Sequence, residues 1–283
     1  MTKSEQYNFS AKHIRRMKLF ERELIPGILK ALHEQIKPVA AKLRRHGIEA
    51  ALNSLDTVEI NSHLSAPIQE IYKTVGLYFA NKTIHDINQS VKEVKAGFGF
   101  NADFLRAILN YFAQYLLNKA VLPISETTRR QIEDAINYGM EQGYGVDKIA
   151  NTLESSEFTI QRARLIVRTE ANKAMNYGQR LGADASEFEQ TKEWVAANDH
   201  RTRHSHRFIN GTVLDFNERF MVPIYTGGKI QIQKGVDLMT GPGDVHASAG
   251  NFCNCRCTLA FIAKRDEKGR IIMKPISKIT VNG

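Results

Sequence analysis

The chain is poor in the residues that build covalent or sharply turning frameworks, with three cysteines, seven prolines and one tryptophan among 283 residues. Three thiols cannot pair completely, which excludes the disulfide scaffold of a small secreted domain. Long apolar runs are missing as well. The richest stretch, Ala107 to Ile124, is broken by Asn110, Gln114, Asn118 and Lys119, too polar and too short for a membrane span. The start Met1-Thr-Lys-Ser-Glu-Gln is polar and no apolar segment follows it. A secretory signal is therefore not expected, and the chain reads as one made and kept in a cytosol. No Gly-Lys-Ser/Thr ending marks a phosphate loop, no Gly-x-Ser-x-Gly elbow marks a hydrolase, and no dense Asp/Glu cluster marks a two-metal nuclease. Internal repeats and low-complexity tracts are also lacking.

What is present suffices for real cores. A hydrophobic content of 42% over this length supports two domains of ordinary size. The formal charge of +9 favours contact with polyanions or acidic protein surfaces, because summed positive potential steers such partners. A solvated Lys/Arg surface accounts for the same excess.

The first 190 residues or so carry helical periodicity. Ile14, Met17, Leu19 and Leu24 begin an amphipathic stretch that is expected to break near Pro26-Gly27 and restart through Ile28, Leu32 and Ile36. Ile68, Ile71, Tyr72, Val75 and Phe79 form one stripe, and Phe104, Ile108, Tyr111, Phe112 and Tyr115 another. The aromatic content of the second stripe suits a buried helix face better than a base-stacking platform. Gly97-Phe-Gly99-Phe100 reads as a break, with Asn101 or Asp103 as the cap that follows. Pro123 and Ser125-Glu-Thr-Thr place a seam near residue 123, ahead of a helix through Ile132, Ile136 and Met140 that ends at Gly143. Beyond it, Gly145 to Leu153 and Thr159 to Ala174 read as helix, turn and longer helix, the second with Ile160, Ala163, Val167 and Ala171 inward. A helix-turn-helix DNA reader using Arg162, Arg164 and Arg168 can be drawn on this hairpin, although Glu157 and Glu170 dilute its basic face.

After Glu189 the texture changes to short β-like runs at 192–196, 212–216, 230–232 and 256–262, punctuated by Gly211, Pro223, Gly227-Gly228 and Gly241-Pro242-Gly243. The expected fold is α+β: a mainly helical region 1–123, a small mixed C-terminal domain 124–263, and a polar, extended arm 264–283 ordered only by a neighbour.

Cysteine, tryptophan and many of the histidines are concentrated between positions 194 and 257. Trp194, all three cysteines and four of the nine histidines (His200, His204, His206, His246) lie there. His206 with Cys255 and Cys257 offers an imidazole and two thiolates to a zinc ion, with Cys253, His204 or Asp199 as fourth ligand. The alternative leaves the thiols as compact hydrophobes, with Arg256 paired to Asp199 or Asp244. His206, Asn210 and His246 also suggest a His-Asn-His metal nuclease, but their spacing fits poorly. No complete catalytic constellation stands out, so an enzyme is not expected.

The same segment resembles the phage Mu protein F-like minor head proteins, a head-morphogenesis family. The resemblance runs through Arg168-Thr169-Glu170, then Ala171, Asn176 and Gly178, and on to Lys192 and Trp194. It continues through Asp199, Arg201, Thr202, Arg203 and His206 in Asp-x-Arg-Thr-Arg-x-x-His, then Gly211 and Pro242-Gly243-Asp244, and closes on Asn254-Cys255-Arg256-Cys257. It covers roughly residues 126 to 262, and agreement in several ordered parts is far more specific than one short motif. His200, His204 and Cys253 fall outside the pattern, and Arg219 to Met239 is longer than a minimal member requires. The resemblance implies a low-copy structural component of the phage head, made in the bacterial cytoplasm and resident in the virion. Its expected partners are the portal or major capsid protein, with non-specific contact to packaged double-stranded DNA and none to a membrane. A virion-borne nuclease or DNA-binding protein is the alternative.

Overall fold

The computed structural model describes residues 1–55, 60–91, 102–226 and 232–275. The helices come first: α1 (Lys3–Ser54), α2 (Ile60–Ile71), a π-helical turn Tyr72–Gly76, α3 (Leu77–Val91), α4 (Ala102–Tyr111), a π-helical stretch Phe112–Val121, α5 (Leu122–Glu141), α6 (Val146–Glu154) and α7 (Ser156–Asp184). Then follow β1 (Gln190–Val195), α8 (His204–Phe208), β2 (Val213–Asp215), β3 (Phe220–Tyr225), β4 (Gln233–Met239), α9 (Ala249–Phe252) and β5 (Thr258–Ala263). The fold is α+β, as expected.

These elements fold as two compact units that interleave along the sequence. One comprises Met1–Phe20, Tyr72–Asn110 and Arg168–Gly283, the other Glu21–Ile71 and Tyr111–Val167. Residue 123, the expected seam, falls inside the second unit.

The second unit is helical. Ile36, Val39, Leu43, Ala51 and Leu55 pack with Ile132 and Ile136 of α5 and Ile149, Ala150 and Leu153 of α6. The α5 and α6 helices meet at Gly139, where a Cβ would stand 2.6 Å from Ile149 Cγ1. Here three expectations meet the structure. The break at Pro26-Gly27 does not occur, since α1 runs through both Pro26 and Pro38 and departs from helical geometry only at Gly47 (φ 79°). Both prolines are exposed, so the carbonyls they leave unbonded face water rather than the core. Pro123 does occupy the first turn of α5, but the chain before it is already helical, so it starts no new element. Met140 is exposed, because the small Gly139 takes the core-facing position beside Ile149.

In the first unit α7 is the central helix. Its face Ala171, Ala174, Met175, Gly178 and Gly182 is buried. Gly178 lies so close to the π turn that a Cβ would come within 2.9 Å of Gly76 C and Cα. One turn later, a Cβ at Gly182 would come within 2.9 Å of Ala80 C. Only residues lacking a side chain allow two backbones this near. The stripe Tyr72, Val75 and Phe79 is buried as expected, as are Phe104, Ile108 and, in the other unit, Phe112. Asp103 sits in the first turn of α4 and pairs with Arg106. The break at Gly97 to Phe100, Asn101 and the Tyr115 side chain lie outside the described residues.

Two small sheets complete this unit. One is antiparallel in the order β2-β1-β5, with Trp194 opposite Leu259 and Glu193 opposite Val213 and Ala260. The other is the ribbon β3-β4, with Phe220 opposite Met239. β3 was not expected, because Pro223 interrupts its pattern; in a two-stranded ribbon its missing N–H can face outward without cost. Of the run expected at 230–232 only Ile232 is described, and the strand proper begins at Gln233. The arm is not extended over its described part. Lys264 N donates to Glu189 O, Phe188 bridges Met273 and Arg265 bridges Ile271, so residues 264–275 fold back within the chain.

Candidate metal centre

Several of the residues that carried the family resemblance converge on the loop between α9 and β5. From α7, the Arg168 guanidinium donates to Asn254 Oδ1 (3.2 Å), and Thr169 Oγ1 accepts the Asn254 N–H (2.9 Å). Asn254 adopts φ 55°, a left-handed conformation that asparagine tolerates. One turn on, Asn172 and Asn176 both donate from Nδ2 to the Cys257 carbonyl, at 3.0 and 3.2 Å. From the other side, Asp199 grips Arg256 through both carboxylate oxygens and also accepts from Arg201 N and Thr202 Oγ1. Burial pushes the Asp199 carboxyl up, but Arg256 and these donors outweigh it and hold the group below its ordinary value. Arg203, the cap of α8, donates to the Cys253 carbonyl.

Inside this frame lie three donors. His206 Nδ1 stands 3.6 Å from Cys255 Sγ and 3.4 Å from Cys257 Sγ, and the Cys257 N–H donates to Cys255 Sγ at 3.4 Å. All three residues are at most 2% exposed. Trp194 packs edge-on against the imidazole with ring centroids 5.2 Å apart, and Phe220 lies edge-on to the indole at 5.3 Å. Ile209, Val222, Met239 and Leu259 close the cluster. The two thiols are unequal. Hydrogen bonding from Cys257, aided by the His206 ring, holds Cys255 well below the usual thiol range, while Cys255 and burial push Cys257 well above it. A soft, readily ionised sulfur beside an imidazole and a second thiol suits a thiophilic metal ion.

Among the described residues, His206, Cys255 and Cys257 are the group placed to share a metal ion, their ligand atoms lying within 4.8 Å of one another. The three candidates for a fourth ligand do not join them. Asp199 is engaged by Arg256, exposed His204 packs edge-on against Tyr225, and the Cys253 thiol lies outside the group. The remaining signature residues hold the frame. Glu170 is buried with Lys173 (2.8 Å) and accepts from Tyr72 OH (3.2 Å). Buried Lys192 donates to the Glu218 and Thr240 carbonyls, and burial pushes its pKa down to about 8. Gly211, at φ 81°, donates its N–H to Trp194 O. Pro242 and Gly243 are buried, Gly243 at φ 78° lying against Lys173, and Asp244 accepts from Thr240 N and Oγ1 and His246 N. Arg201 is exposed and takes part only through its backbone.

The His-Asn-His constellation is not assembled. Asn210 accepts from Ala196 N and donates to Gln6, while His246 is exposed. Of the arginines assigned to a DNA-reading helix, Arg162 donates to Ile124 O and Arg168 to Asn254. Sequence reasoning missed Asn172 and Gln179. Their signal was the polar set Thr169, Asn172, Asn176 and Gln179, spaced at three and four residues along one face of α7.

Residues 130–260 match the model of the family described as Phage Mu protein F like protein, so the resemblance holds over that stretch. Over 132 residues the chain is 32% identical to Minor head protein GP7 of Bacillus phage SPP1, a match covering 45% of this chain and 39% of that protein. A second relative is the NAD(+)–arginine ADP-ribosyltransferase EFV of Enterococcus faecalis, 23% identical over 212 residues, or 71% of this chain and 41% of that protein. The matches thus span about two fifths of each relative's length. No solved structure matches the chain.

Proposed function

We propose that this chain is a minor component of a tailed-bacteriophage head that acts in head morphogenesis, is retained in the virion, and meets the portal or the inner capsid wall. One observation carries the reading. The stretch that matches the family model, residues 130–260, is the stretch whose signature side chains hold the Cys255–Cys257 loop in place. They serve to fix a shape rather than to face a substrate.

The helical region 1–123, ahead of the head-morphogenesis segment 124–263, supplies the docking surface for portal or major capsid protein, since long amphipathic helices present ridges and grooves to a partner. The net charge of +9 favours non-specific contact with packaged double-stranded DNA. No helix among the described residues is long and apolar enough to cross a membrane.

The test is genetic and biochemical together. Deleting the gene from its parent phage is expected to abolish most infectious particles, and complementation to restore them, with the chain found at low copy in purified virions by quantitative mass spectrometry. Normal particle yield without it, and its absence from wild-type virions, would overturn the reading. Incubation with plasmid DNA and a panel of divalent cations is expected to give no cleavage that depends on His206; sustained cleavage lost in His206→Ala would establish the nuclease alternative.

A further inference from the structure

We infer that His206 Nδ1, Cys255 Sγ and Cys257 Sγ hold one zinc ion that closes the C-terminal module. The inference is independent of the head-protein reading. It rests first on distance. Zinc–nitrogen bonds of about 2.0–2.1 Å and zinc–sulfur bonds of about 2.3 Å, at a tetrahedral angle, set the nitrogen and sulfur donors about 3.6 Å apart. The observed separations are 3.4 and 3.6 Å. Both nitrogen–sulfur separations are those an ion would impose, and all three ligand atoms lie within 4.8 Å of one another.

The donor set is the second support. Two thiolates and an imidazole favour zinc over the oxygen-seeking magnesium and calcium. The Cys257 N–H aimed at Cys255 Sγ stabilises negative charge on that sulfur, as a metal-bound thiolate requires. Separate elements also fix each ligand. His206 rides on α8, oriented by Trp194, while Arg256 between the two cysteines is clamped by Asp199, and the Cys257 carbonyl by Asn172 and Asn176. With Nδ1 as ligand the ring proton sits on Nε2, which is buried and has no hydrogen-bond partner. A carboxylate or carbonyl usually holds that proton in zinc sites. In this module indole packing holds the ring instead.

The full chain, purified in reductant without added metal, is assayed for metal by inductively coupled plasma mass spectrometry, then stripped with chelator and titrated with cobalt(II). Expected are about one zinc per chain, and cobalt spectra with near-ultraviolet thiolate charge-transfer bands and the intense visible bands of a tetrahedral ion. Cys257→Ser and His206→Ala should lose the metal, whereas Cys253→Ser and His204→Ala keep it. A folded, monodisperse wild-type sample with neither zinc nor a thiolate–cobalt spectrum would overturn the proposal, leaving the thiols as packing residues. Loss of zinc from folded Cys253→Ser or His204→Ala would overturn this ligand set. If Cys257→Ser does not fold, the wild-type cobalt spectrum decides the matter alone.

Discussion

Replacing Gly178 by alanine tests the backbone approach between α7 and the π turn. Two effects oppose each other. In a helix interior alanine is favoured over glycine by about 1 kcal/mol. Against this, the new methyl would lie within 2.9 Å of Gly76 C and Cα, where ordinary contact begins near 3.4 Å, and these are backbone atoms that cannot rotate away. The helices must separate or the turn must distort, and overpacking of this kind costs about 1–3 kcal/mol, occasionally more. Because the clash is with main chain, the upper end applies and the net loss is about 2 kcal/mol. For a chain of this size that lowers Tm by roughly 4–8 °C. Gly27→Ala is the matched comparison. It is also a glycine inside a helix, but its nearest foreign atom is Pro67 Cβ at 3.9 Å, so the propensity gain of about 1 kcal/mol should stand alone and raise Tm. Differential scanning fluorimetry of the two variants, with circular dichroism to confirm helicity, separates the cases. If Gly178→Ala melts as high as Gly27→Ala, the close approach is not there.

Other expected outcomes concern the same unit. His13 donates from Nδ1 to Phe9 O and accepts at Nε2 from Gln179, and burial pushes its pKa down to about 4. Its folded pKa is below its unfolded value, so stability is intact above about pH 6.5 and falls as pH drops toward 4. The loss is about 2 kcal/mol at pH 5, and His13→Gln should flatten the melting profile between pH 7 and 5. Trp194→Ala removes the largest fully buried side chain and should cost about 3–5 kcal/mol; a thermal melt within a degree or two of wild type would contradict its place in the core. Arg256→Lys keeps the charge but loses the two-pronged grip on Asp199, at a cost of about 1–2 kcal/mol for this partly buried pair. Urea titration reads the change, and an unaltered midpoint would show that Asp199 does not clamp the loop.

The C-terminal site was legible in the sequence to the extent that its residue types are rare and its spacing ordered. Trp194, His206, Cys255 and Cys257 stood out by scarcity, and the structure gathers them. The pairing of Arg256 with Asp199, weighed only as an alternative to zinc ligation, is present beside the cluster rather than in place of it. Asn172 and Gln179 stayed hidden because polar residues on a helix read as its solvated side. Here they face inward to carry hydrogen bonds to β5 and the loop before it. Helix existence was also legible, from stripes such as Tyr72, Val75 and Phe79. Helix continuity was not. A proline costs a helix little where the freed carbonyl reaches water, and nothing local to Pro26 says which way that carbonyl faces. The ribbon β3-β4 was obscured for a related reason, since Pro223 and a polar outer edge suit only a strand with a single partner.

The interleaving of the two units bears on synthesis. His13 leaves the ribosome 166 residues ahead of Gln179, its partner on α7, a wait of roughly ten to thirty seconds at bacterial elongation rates. Throughout that interval the first-made segment lacks the partner that α7 later provides, while the helical unit, complete at Val167, is free to form first. Assembly of the first unit is therefore a late event in which the last-made segment draws in the first-made one. A fragment beginning at residue 130 would carry the whole shared signature and still lack Gly76 and Ala80, the backbone against which Gly178 and Gly182 lie.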